Sequence, residues 1–213
     1  MRKAVVDGYP TENIVVSDLK PGEKSTTCSC RKVTEYPRLD IAFWDLGHKL
    51  FRSTPETFPV KFVQADVLDS NHIAPRLPFY APSTSPRPEL KTLTSLTPLQ
   101  GHVSAIHAGL LFHLFDEEMQ TRAARAFASL LSPERGSIIF GHHLAMPVAG
   151  VRHTIVTNKA LYCHSPETWA ELWNGQVFEK GTVDVWSTLL EIGTKELVGD
   201  TKAYLLIWSV TRL

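Results

Sequence analysis

Five side chains in this chain have the types and spacing to do chemistry together. Asp18 follows an apolar run, Asn13 to Ser17 (NIVVS). Asp66 follows a second such run, Val60 to Gln64 (VKFVQ). A carboxylate just past a buried strand accepts hydrogen bonds from ribose hydroxyls in doubly wound sheets. Two such acids at successive strand ends suit an adenosine ligand, one at the ribose and one at the exocyclic amine. The plainer readings are a strand-ending turn for Asp18 and helix capping by Asp66 or Asp69. Three histidines lie near the ends of two further apolar runs: His107, His142 and His143. An imidazole with an ordinary pKa of about 6.5 can take a proton from a reacting group. A metal pair at His142-His143 is disfavoured, because neighbours on a strand point to opposite faces. His113 reads as a helix-entry residue and His48 as a packing or surface residue of a helix.

These groups need a scaffold, and Gly101 to Gly141 supplies its centre. Val103 to His107 reads as a buried strand. Asp116 caps a helix whose first turn carries Glu117 and Glu118. Met119, Ala123, Phe127 and Leu130/Leu131 give that helix an apolar face. Ser132-Pro133 ends it, Gly136 turns the chain, and Ser137 to Phe140 is a second buried strand. Strand, helix, strand at this length is a right-handed parallel unit. Ligands in such sheets sit beyond the carboxyl ends of the strands. His107-Ala108-Gly109 and Gly141-His142-His143 therefore mark the expected rim.

The remaining elements follow in order. Met1 to Gly8 is the end of a helix closed by Asp7-Gly8. Phe43 to Phe51 has helical spacing, with Phe43, Leu46/Gly47 and Leu50 on one face. Residues 24–42 read as an insertion without pattern, and 70–95 as a Pro-rich loop. Leu96 to Leu99 is a short helix, Met146 to Arg152 a loop, and Ile155 to Tyr162 ambiguous. Ser165-Pro166-Glu167 starts a helix. Val183 to Leu190 and Ala203 to Thr211 are strands joined through Gly193 to Gly199, close enough in sequence to pair antiparallel.

Composition narrows the classes. The 213 residues, 43% hydrophobic and 21% charged, predict a single globular domain, 1–213. Net charge is zero, which gives no electrostatic case for nucleic acid. No apolar run is long enough to span a bilayer, so no membrane is expected. Three cysteines, Cys28, Cys30 and Cys163, read as free thiols in a reducing, cytoplasmic compartment. A lone Cys-x-Cys is a poor zinc site, so no metal is expected.

Taken in order, NIVVSDLKPG, FWDLGHKLF, VKFVQADVLD, GHVSAIHAGLLFHLFDEEMQ, ASLLSPERGSIIFG and SPETWAELW resemble the class I S-adenosylmethionine-dependent methyltransferases. They are most similar to the fungal small-molecule methyltransferases of secondary metabolism. The resemblance implies an α/β fold: a Rossmann-like, mostly parallel sheet with helices on both faces and an antiparallel C-terminal hairpin. It implies S-adenosyl-L-methionine as cofactor and a small-molecule methyl acceptor. It places Asp18 on the cofactor ribose, Leu19 against adenine, and Asp66 with Val67 at the adenine edge. His107 and Ala108, with Gly109, would face the methionine part, with His107 the candidate base. The family's first strand and its glycine-rich loop find no counterpart, since no Gly-x-Gly exists among the twelve glycines. The chain is therefore expected to be truncated at its N-terminus, which leaves a non-catalytic relative or partner subunit as the alternative.

Overall fold

The computed structural model describes residues 2–18, 43–153, 160–192 and 202–213. Leu19, residues 24–42 with Cys28 and Cys30, and the Gly193 to Gly199 connection lie outside the described residues. The chain divides into two compact units: Met1–Asp66 with Pro88–Pro98, and Val67–Arg87 with Leu99–Leu213.

The smaller unit holds helix α1 (Arg2–Val6), strand β1 (Val15–Asp18), helix α2 (Phe43–Leu50) and strand β2 (Lys61–Gln64). Gly8, at φ +97°, closes the turn after α1. β1 and β2 pair in parallel, Val15 opposite Lys61 and Asp18 opposite Gln64. β1 was expected to be buried, but it is only half-buried at Val15 and Val16 and exposed at Ser17 and Asp18. A two-stranded sheet has no inner strand, so neither member is covered from both sides. α2 also presents a different face from the one expected. Leu46 and Leu50 are exposed, while His48 is buried and its ring lies edge-on to Trp44 at 5.1 Å. Trp44 stacks on Phe62 of β2 at 5.5 Å. The aromatic pair four residues apart, not the leucines, forms the contact stripe. Ser53 Oγ lies 2.9 Å from His48 Nδ1 and accepts from Arg2. The guanidinium of Arg2 lies over the rings of Phe51 and Phe58.

The larger unit is built on strands β3 (Ala105–Gly109), β4 (Ile138–Ala145), β7 (Val183–Ile192) and β8 (Ala203–Arg212), in the order β3-β4-β8-β7. Helix α3 (Glu117–Leu130) crosses between β3 and β4, which pair in parallel as the sequence predicts. Asp116 caps α3 by accepting from the Met119 N–H at 2.8 Å. Helix α4 (Pro166–Trp173) starts in a capping box between Ser165 and Thr168. β7 and β8 pair antiparallel over their whole length. The class is α/β, with a parallel strand–helix–strand centre and an antiparallel terminal hairpin.

Three expectations change here. β4 does not end near His142; antiparallel pairing with β8 carries it on to Ala145. The segment read as a loop from Met146 holds strand β5 (Gly150–His153), which pairs with β6 (Ala160–Cys163). β3 is buried at Ala108 but exposed at Ala105, His107 and Gly109. It is the edge strand of the four-stranded sheet.

α3 and α4 share one face of the four-stranded sheet. Ala123, Ala124 and Ala128 of α3, and Trp169, Leu172 and Trp173 of α4, meet Ile139, Leu206, Trp208 and Val210 in one core. Small side chains on α3 leave room for three buried indoles. Phe112, fully buried, lies edge-on to Trp169 at 4.8 Å and to Trp208 at 5.7 Å.

Candidate functional site

Two rims carry the chemistry-bearing residues, one in each unit. In the smaller unit, β1 and β2 run parallel, so both acids belong to the same carboxyl edge. Asp18 is the last residue of β1 and is exposed. Its carbonyl accepts from the Ala65 N–H at 3.2 Å, so the chain after β2 stays paired to it. Asp66 follows Ala65 directly and is half-buried. Val67 belongs to the larger unit, where its side chain packs against the apolar core.

In the larger unit, the carboxyl end of β3 brings two imidazoles together. His107 and Gly109 lie on the same face of β3. His142 of β4 stands opposite Gly109 in the parallel register. The His107 and His142 ring centroids are 6.3 Å apart, and Phe140 lies 5.1 Å from His107. The absent side chain at Gly109 is what makes room. A Cβ there would stand 3.1 Å from His107 Cε1 and 3.2 Å from His142 Cε1. Burial and the neighbouring His142 hold the His107 pKa below its ordinary value. A neutral imidazole at neutral pH follows, with a lone pair free to accept a proton.

The backbone leaves β3 in a strained turn. Leu110 has φ +53°, in the left-handed region that bulky residues rarely adopt. Its N–H donates to the His142 carbonyl at 2.7 Å, which fixes that conformation. Strain of this kind, held by a pairing partner, collects at functional rims.

The three histidines first grouped as candidate bases separate sharply. His143 points to the opposite face from His142 and is 1% exposed. Its Nδ1 accepts from the Trp208 indole N–H at 2.9 Å. Burial, then the nearby His164, lower its pKa to about 3. It is a core residue and no base for an outside acceptor. His113 sits buried in the helical turn Phe112–Leu114, ahead of α3. Ala108 is buried on the inner face of β3. No group of three or more metal-ligating side chains occurs among the described residues. Sequence reasoning missed Gly109 as a spacer and Leu110 as a strained residue. Neither has a local signal, because both depend on which residue of β4 lies opposite.

No protein-family model matches the chain. Its curated relatives are fungal methyltransferases. It is 29% identical to the O-methyltransferase phiE of a fungal species, over 182 residues that cover 85% of this chain and 47% of that protein. It is 25% identical to the methyltransferase adrK of Penicillium rubens, over 87% of this chain and 53% of that one. The chain thus spans about half the length of the curated relatives it matches. Among solved structures it is similar to PigF with SAH, at 14% identity and a TM-score of 0.47, over 100% of this chain and 46% of that one. The resemblance carried by the sequence motifs is borne out by these fungal methyltransferases.

Proposed function

We propose that this chain binds S-adenosyl-L-methionine and takes part in methyl transfer to a small-molecule acceptor. The observation that carries the reading is the similarity to O-methyltransferase phiE over 85% of the chain. The pairing of Asp18 and Asp66 on one carboxyl edge supports the nucleoside part. Two acceptor groups, one exposed and one half-buried, have the chemistry to receive ribose hydroxyls and an adenine amine. The cofactor, when bound, supplies an electrophilic methyl group on sulfur. The protein's part is then to hold and orient the acceptor and to remove its proton. In this reading His107 accepts the proton of an acceptor hydroxyl on its neutral imidazole, with His142 beside it. A cytoplasmic setting suits the buried, unpaired thiol of Cys163.

Titration calorimetry with S-adenosylhomocysteine tests this directly. The reading expects saturable heat, which is weakened when Asp18→Ala removes the first acid. No heat at millimolar ligand would overturn cofactor binding by this polypeptide. That outcome would favour the second reading, a methyltransferase-like partner subunit without cofactor.

A further inference from the structure

Gln120, in the first turn of α3, is fully buried, and a side-chain amide is costly in a core unless its bonds are made. Its Nε2 donates to two backbone carbonyls from separate segments. One is Phe115 at 3.0 Å, in the turn between β3 and α3; the other is Tyr162 at 2.9 Å, in β6. Its Oε1 has no hydrogen-bond partner among the described residues. The reverse orientation would aim that oxygen at two carbonyl oxygens, so the amide stands only one way round. Tyr162 is held a second time. Its phenol donates to the Glu117 carboxylate, three residues before Gln120 on the same side of the helix. Burial, then that carboxylate, push its pKa up to about 12. The strands served by these bonds have few other supports. β5 and β6 are four residues each and pair only with each other among the described residues. A hairpin of that size is marginal in water by itself. The Met146 N–H donates to the His164 carbonyl at 3.1 Å, which sets the end of β6 against the end of β4. The pair therefore stands at the carboxyl ends of the parallel strands, the edge where such sheets bind ligands.

We infer that Gln120 is a latch: it fixes the β5–β6 pair as a wall at the carboxyl edge, and the pair opens as one unit when the latch is lost. Releasing β6 strips a buried amide of one of its two acceptors and the Tyr162 carbonyl of its donor, and that penalty keeps the wall in place. The core itself does not need the pair. It is made by α3, α4 and the four-stranded sheet, and no residue of β5 or β6 belongs to it. Opening of the pair therefore leaves the rest of the larger unit standing, as a local unfolding step. The same amide holds Phe115, so the turn that begins at the strained Leu110 shares the latch. The latch does not depend on cofactor binding; that this edge receives the methyl acceptor rests on the function proposed above.

Amide hydrogen exchange of the full chain, read by mass spectrometry, tests it. Gln120→Met keeps the side chain's length and removes both donors. Exchange at least ~10-fold faster is expected across Gly150–His153 and Ala160–Cys163, with the β7–β8 ladder unchanged. Tyr162→Phe removes only the phenol bond and is expected to give a smaller increase. Unchanged exchange of β5 and β6 in a folded Gln120→Met protein overturns the inference. So does equal acceleration of β7–β8, which would make Gln120 a support of the whole core, or a larger effect from Tyr162→Phe. Should Gln120→Met misfold by circular dichroism, exchange of the wild-type protein in rising urea decides. Amides of β5 and β6 that open together, at lower urea than those of β7–β8, support the inference; opening only with the whole protein overturns it.

Discussion

At Gly141 the smallest possible side chain is already too large. A Cβ built there would stand 1.9 Å from the carbonyl oxygen of Ala108, its partner across the β3–β4 ladder, and 3.1 Å from the Trp208 ring. The first of these contacts is backbone and cannot swing aside. Gly141→Ala is therefore expected to destabilise the protein by about 3 kcal/mol or more, the upper range for overpacking, because β3 must separate from β4. Urea unfolding measures it, and a loss under ~1 kcal/mol would show that the ladder yields more easily than this packing allows. Gly109 makes an instructive contrast, since its Cβ would meet two imidazole edges that can rotate. The sequence shows both glycines but ranks neither. The difference lies in what stands opposite, and that is a property of register.

Elements were easier to read than residues wherever their signals were local. The cap at Asp116, the Ser-Pro-Glu start of α4 and the turn at Gly136 are all written within four or five residues. Strands β5 and β6, of four residues each, carry no such signal and exist through their mutual pairing. The end of β4 was misplaced for the same reason, since only β8 beside it tells where it stops. At the start of α4, the Ser165 hydroxyl accepts from the Thr168 N–H at 3.3 Å, and the Thr168 hydroxyl accepts from the Ser165 N–H at 3.0 Å. Ser165→Ala removes half of this box and is expected to cost about 1 kcal/mol. α4 carries two of the buried indoles, so the loss appears in the melting temperature of the whole core, read by near-ultraviolet circular dichroism. An unchanged melting temperature would mean that packing alone holds the first turn.

For the whole molecule, the buried histidines tie stability to pH. His143 titrates at about 3 and His164 at about 4 in the folded state, in both cases chiefly because burial disfavours the charged form. Both values lie below the ordinary 6.5, so the unfolded chain binds these protons more tightly. Their contribution is complete above about pH 6.5 and is lost as pH falls toward 4, each at up to ~1.4 kcal/mol per pH unit. Urea midpoints at pH 7 and pH 5 test this, and equal midpoints would refute it. The parallel centre and the terminal hairpin were legible in the sequence, but the division into two units was not. It depends on the sum of contacts over distant segments, which no motif records. Four of the five tryptophans lie in the larger unit, three of them fully buried around Phe112; Trp44 alone lies in the smaller. The protein's intrinsic emission is consequently an optical gauge of the larger unit, and a spectroscopist following it through denaturation would watch that unit melt almost by itself.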